Sequence, residues 1–91
     1  MKAAGRVHFI YNEAQITDTF KKREFILEIT DNPQYPQYVK FEFVQDKCDL
    51  LNDFAENDMV DIEFNLNGRM HEKDGVVNCF NCNQAWKINK T

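Results

Sequence analysis

Two groups of side chains in this 91-residue sequence have types and spacings that could do chemistry. The first is Phe20, Lys21, Lys22 and Arg23, an aromatic and three cations at the mouth of an alternating segment, with Tyr38, Lys40, Arg69 and Phe80 further along. Cations neutralise phosphates and release their counterions, and flat rings stack on unpaired bases at about 1–3 kcal/mol per base. Together they have the chemistry to hold a nucleic-acid strand without reading its sequence. Arg6 is a weaker phosphate candidate. The second group is Cys79-Phe-Asn-Cys82, with the spacing of half a zinc site. His71 lies upstream and Cys48 is distant, so no second ligand pair is at hand. Along an extended strand Cys79 and Cys82 point to opposite faces. No metal is expected here, and the thiols read as buried and inert.

Other chemistries are thinly represented. The chain contains no serine, so Ser-based nucleophilic catalysis and P-loop or nucleophile-elbow motifs are excluded. A thiol redox motif would open a helix in a βαβ unit, and no such unit is legible. His8 is expected on the outer face of the first strand or at the end of a barrel, without a catalytic partner. No enzyme activity, cofactor or small-molecule substrate is expected.

The elements that must position these residues are mostly strands. Alternation at period two marks residues 5–11, 22–30, 37–45 and 58–67, and 76–88 reads as a last, longer strand. The expected inward residues are Val7 and Phe9, then Phe25, Leu27 and Ile29, then Val39, Phe41 and Phe43, then Val60, Ile62, Phe64 and Leu66. Lys22, Glu24, Ile26 and Glu28 take the other face of the second strand, and Tyr38, Lys40 and Glu42 that of the third. Residues 46–54 read as a short helix, with Asp46 as N-cap and Leu50, Leu51 and Phe54 on one face. Residues 67–75 read as a mobile charged loop holding Arg69, His71 and Lys73, with Gly68 and Gly75 at its bends. Trp86 falls on the even-numbered face with Phe80, Cys82 and Ile88 and is expected to pack against the core or a barrel rim. Strands with one apolar and one polar face need one buried side. Five of them, with a helix between the third and fourth, predict an all-β, five-stranded OB-fold barrel, with an SH3-like or another small β barrel as the alternative. The length suits one domain, residues 1–91.

Charge is uneven. The chain carries 11 Lys+Arg against 15 Asp+Glu. Residues 42–63 hold Glu42, Asp46, Asp49, Asp53, Glu56, Asp58, Asp61 and Glu63 with Lys47 as their only cation. The rest is net basic, so an acidic side and a basic side are expected, the acidic one fixing the direction from which a nucleic acid approaches. On an OB barrel the outer surface of strands two and three and the neighbouring loops bind oligonucleotides. Here that surface would show Lys22, Ile26, Tyr38 and Lys40, with Phe20, Lys21 and Arg23 at its rim. The competing expectation is a protein-interaction module whose acidic side docks a basic partner. No apolar run approaches the roughly 18 residues of a membrane span. Arg6, His8 and Asn12 interrupt any signal-peptide core, and three cysteines argue against a disulfide framework. A cytoplasmic, reducing compartment is expected, with no membrane contact.

The segments "KKREFILEIT", "YVKFEFVQDKCDLL", "DMVDIEFNLNGR" and "QAWKI" resemble, in order and spacing, a small group of bacterial and phage proteins akin to the OB domain of single-stranded DNA-binding proteins. The resemblance spans roughly residues 3–88. It implies an OB fold, binding of single-stranded DNA rather than RNA, a role in replication, recombination or repair, assembly as a homodimer or homotetramer, and no catalysis.

Overall fold

The computed structural model describes residues 1–91. Strand β1 (Lys2–Ile10) leads to a short β2 (Ala14–Thr17), then β3 (Phe20–Ile29) and β4 (Gln37–Val44). A 3₁₀ helix (Gln45–Asp53) connects to two long strands, β5 (Met59–Lys73) and β6 (Val76–Lys90). β1 pairs antiparallel with both β3 and β5, β3 with β4, and β5 with β6. β4 and β6 meet in parallel through the single pair Glu42–Gln84, which closes the ring β1-β3-β4-β6-β5. This is the five-stranded OB arrangement, with the helix between the third and fourth barrel strands as expected. β2 is an addition that the sequence did not announce. All four of its residues are exposed, so it has no apolar alternation, and it extends the end of β3 that β1 leaves unpaired.

The alternating strands bury the faces their patterns dictate. Phe25, Leu27, Phe41, Phe43, Val60, Ile62, Phe64 and Val7 form the core with Leu51, Ala85 and Ile88. The Phe25 ring stacks between Phe41 and Phe43 at centroid distances of 5.7 and 5.6 Å, and Phe64 meets Phe41 edge-on at 4.9 Å. Each aromatic pair adds about 0.5–1.5 kcal/mol to the burial itself.

Two bulges break the period. The β1–β3 register shifts between Val7 and Phe9, leaving His8 as the extra residue. Val7 therefore points in opposite Leu27, while Phe9 sits outside opposite Ile26 and is exposed. The expected inward pairing of Val7 with Phe9 fails for this reason. In the same way β6 gains one residue where Glu63 faces Lys87 and Phe64 faces Ala85. Ala85 and Ile88 turn inward and Trp86 is pushed out, so of the two places expected for Trp86, core or barrel rim, the core is excluded.

The helix is 3₁₀, not α, and three residues per turn set its buried stripe. Cys48 and Leu51 are buried and Phe54 packs against the core, whereas Leu50 is exposed. Val44 occupies the N-cap without a side-chain bond, and Asp46 lies in the first turn.

The expected loop 67–75 is strand almost throughout. β5 and β6 stay in register from Phe64–Ala85 to Lys73–Val76 as a two-stranded ribbon. Asp74 and Gly75, with φ of 54° and 78°, form its two-residue turn. Positive φ at both positions is the I′ geometry that Asp-Gly favours. Gly68 makes no bend: it is a mid-strand residue opposite Asn81. Leu66, expected inside, lies beyond the barrel on this ribbon and is exposed. The extension lengthens the molecule to 45 Å and its radius of gyration to 14.5 Å, against about 12 Å for a compact chain of this length.

Gly5 lies where β1 crosses β3 on its way to β5. A Cβ there would stand 2.3 Å from the Glu28 carbonyl oxygen, so only glycine permits the approach that closes the barrel.

Candidate nucleic-acid interface

Pairing registers assign the outer wall directly, because residues opposite each other in an antiparallel pair project to the same side. Lys22 faces Val44, Glu24 faces Glu42, Ile26 faces Lys40 and Glu28 faces Tyr38. Gln84 of β6 adjoins Glu42. On the ribbon Arg69 faces Phe80 and Asn67 faces Cys82, on the side continuous with this wall.

Two adjoining depressions of about 460 and 480 Å³ run along it. Phe20, Lys22, Arg69 and Phe80 line the first, and Lys22, Tyr38 and Lys40 the second. Lys22, Glu42, Asn81 and Cys82 belong to both, so the two form one groove. Six of the eight residues picked from the sequence are thereby brought together, although they come from β3, β4, β5 and β6. A third depression, over β1, β5 and β6, has no aromatic residue in its lining.

Lys21 and Arg23 are placed elsewhere. They alternate with Lys22 and lie on the opposite side of β3. Lys21 pairs with Glu13 at 3.4 Å, and that hydrogen bond and charge raise its pKa. Arg23 donates from Nε to the Tyr11 carbonyl at 2.9 Å and from Nη1 to Asn52 Oδ1 at 2.7 Å. Arg6 is also engaged: its Nη2 donates to Glu28 Oε2 at 2.9 Å, and Glu28 is the only buried charged residue. That bond raises the Arg6 pKa.

The wall holds aromatics that the strand periods hid. The bulge at His8 turns Phe9 and Tyr11 outward, both exposed and in edge-to-face contact at 4.8 Å. Tyr11 hydrogen-bonds through its backbone to Glu24, and Phe9 sits beside Ile26, so both continue the face of β3. His8 meets the exposed Tyr38 ring edge-on at 4.9 Å. A bulge signal in the sequence, the break between an inward Val7 and an inward Ile10, could have found them.

The electrostatics are less divided than the sequence implied. Glu24 pairs with Lys40 at 3.3 Å and lies 4.0 Å from Lys22. Glu42, counted with the acidic side, is in the groove and accepts a hydrogen bond from Cys82 Sγ at 2.8 Å. Burial, with that bond to Glu42 adding to it, pushes the Cys82 thiol up to about 12. Cys82 is thus a protonated donor that fixes Glu42. Cys79 is exposed on the opposite side of the ribbon, contrary to the expectation that both thiols are buried; Cys48 alone is fully buried. The divergence of Cys79 and Cys82 follows the strand geometry as expected. No helix is long and apolar enough to cross a membrane.

The fold is shared with several solved structures, two of them single-stranded DNA-binding proteins. Mitochondrial single-stranded DNA-binding protein Rim1 of S. cerevisiae superposes with a TM-score of 0.75 at 12% identity, over 99% of this chain and 91% of that one. The small single-stranded DNA-binding protein of Streptomyces coelicolor gives 0.66 at 14% identity, over 100% and 92%. The dimeric N-terminal domain of PriB from Thermoanaerobacter tencongensis gives 0.69 at 16%, over 100% and 93%. A comparison with curated proteins gives no match. Over residues 2–89 the sequence matches the model of the domain of unknown function DUF3127, and the chain belongs to that family.

Proposed function

We propose that this chain binds single-stranded nucleic acid, DNA in preference to RNA, without sequence specificity and without catalysis. The observation that carries the reading is the convergence of Phe20, Lys22, Tyr38, Lys40, Arg69 and Phe80 on one groove. Lys22, Lys40 and Arg69 contact phosphates there. Phe20, Tyr38 and Phe80 offer ring faces to bases, and Phe9 and Tyr11 extend the stacking surface across β3. Lys21 and Arg23, held on the opposite side, contribute at most to the general field. Similarity in fold to two single-stranded DNA-binding proteins supports the same reading, and similarity to the dimeric PriB domain supports a homo-oligomer. Work on exposed single strands during replication, recombination or repair, in the cytoplasm of a bacterium or phage-infected cell, is the corresponding role.

Glu24 sets the affinity. It must give up Lys22 and Lys40 to incoming phosphates, so binding is modest and strongly salt-dependent. Three phosphate contacts give a slope of log K against log[salt] of about −2 for a single strand. Titration of labelled oligo-dT at two salt concentrations tests this. The double variant Lys22→Glu/Lys40→Glu abolishes binding if the groove is the site. Glu24→Gln, which releases both lysines, tightens it. Absence of binding at low salt, or a double variant that binds as the parent does, overturns the reading.

A further inference from the structure

The ribbon of β5 and β6 has a second side, which meets the groove only at its barrel end, through Gly68, Asn81 and Asn83. Leu66, Gly68, Met70 and Glu72 project there with Asn83, Asn81, Cys79 and Val77 opposite them. Leu66 is 63% exposed, Met70 66% and Val77 58%. Glu72, near the turn, is the only charge on this side, whereas the other side carries Arg69, His71 and Lys73. A two-stranded ribbon with neither face packed is marginal in water, and three or more strands or a covering element are needed to hold one. Within this chain Asn83 at the barrel end of this side donates to the Lys40 carbonyl, while Leu66, Met70 and Val77 stay exposed. The whole chain exposes 6470 Å², against about 5500 Å² for a compact monomer of its mass, 10.8 kDa. The excess is close to the roughly 800 Å² that each partner buries in a standard interface.

We infer that a second copy of this chain covers the Leu66–Met70–Val77 side of the ribbon, two ribbons packing face to face about a two-fold axis. This rests on the homo-oligomer part of the reading above and gives it a surface. A two-fold contact brings a patch against itself, so the patch must be free of like-charge repulsion. In a chain of net charge −4, this almost uncharged face meets that condition. The arrangement leaves Arg69 and Phe80 outward in both copies, so each protomer keeps its groove and a long strand can engage both.

Sedimentation equilibrium of the full chain, without nucleic acid, tests the inference separately from DNA binding. The parent is expected at twice 10.8 kDa at micromolar concentration. Leu66→Gln/Met70→Gln, which adds no charge, should sediment as a monomer with an unchanged far-ultraviolet spectrum and unchanged affinity for a short oligo-dT. Asn89→Lys, on the barrel wall across β1 and β5, should remain dimeric. Cys79, on the covered side, should react with a maleimide more slowly in the parent than in the double variant. A monomeric parent, a double variant that stays dimeric, or equal Cys79 labelling overturns the proposal, whatever the oligo-dT result. A dimeric parent that binds no oligo-dT upholds it and removes the nucleic-acid reading alone.

Discussion

At the scale of single residues, Phe25 and Cys82 make opposite kinds of contribution. Phe25 is fully buried between two other rings. Truncation leaves a cavity that three packed strands cannot close, so Phe25→Ala should cost about 3–5 kcal/mol, read as a lower urea midpoint. Cys82 matters through its proton. Its thiol is raised from an ordinary value of 9.0 to about 12, first by burial and then by the bond to Glu42. In the unfolded chain the thiol ionises near the ordinary value while the folded chain still holds its proton. The unfolded state therefore binds fewer protons between those two values, and stability falls with rising pH. The contribution is complete below about pH 9 and is lost as pH rises toward 12. Cys82→Ser removes the titration and keeps a hydroxyl donor, so its stability should decline less steeply than the parent's between pH 9 and 11, measured by urea unfolding at each pH. Charge pairs such as Lys40–Glu24 matter less to stability: at exposed sites they are worth about 0.2–1 kcal/mol, and their interest lies in being exchangeable.

At the scale of elements, the ribbon is the part whose stability is separable. Its turn needs positive φ at Asp74 and Gly75. Gly75→Ala imposes a left-handed residue at a cost of roughly 1 kcal/mol. Hydrogen exchange should quicken at ribbon amides such as those of Arg69 and Phe80, and stay unchanged at Phe25 and Leu27 in the barrel. The ribbon was also the least legible element. Strands that bury one face declared themselves through period two, which is why the barrel and its Phe-rich core could be read from residues such as Phe25, Phe41 and Ile62. The stretch from Leu66 to Lys73 is held by cross-strand pairing, with no buried side within the chain, and so reads as loop. β2 was hidden for the same reason. The two bulges escape a strict period-two reading because one inserted residue, His8 or Trp86, inverts every face after it without changing composition, and only the break between Val7 and Ile10 betrays the first. The helix was located correctly, but its 3₁₀ period moved the buried stripe from Leu50 to Cys48. Of the candidate site, the alternating residues Lys22, Tyr38 and Lys40 were legible. The opposite fate of Lys21 and Arg23 follows from that same alternation, and Phe9 and Tyr11 depended on the bulge.

At the scale of the whole molecule, closure depends on close approaches between strands. Gly5→Ala drives a methyl group into the Glu28 carbonyl, and neither backbone can yield without parting β1 from β3 or β5. The expected outcome is a loss of cooperative thermal unfolding or a fall in its midpoint well beyond that of a surface Gly→Ala change such as Gly75→Ala. Closure has a weak point as well. β3 and β4 share eight register pairs, while β4 and β6 share only Glu42–Gln84, backed by Asn83 Nδ2 donating to the Lys40 carbonyl at 3.2 Å and by the Cys82–Glu42 bond. The barrel is a hoop with one slender clasp, and the clasp is the floor of the groove. A strand laid across Lys40 and Arg69 would bridge the gap like a suture. Ligand should therefore tighten the ring itself: oligo-dT should slow exchange on both banks of the clasp, at Glu42 and at Gln84, by more than it slows exchange at the far wall where β1 meets β5.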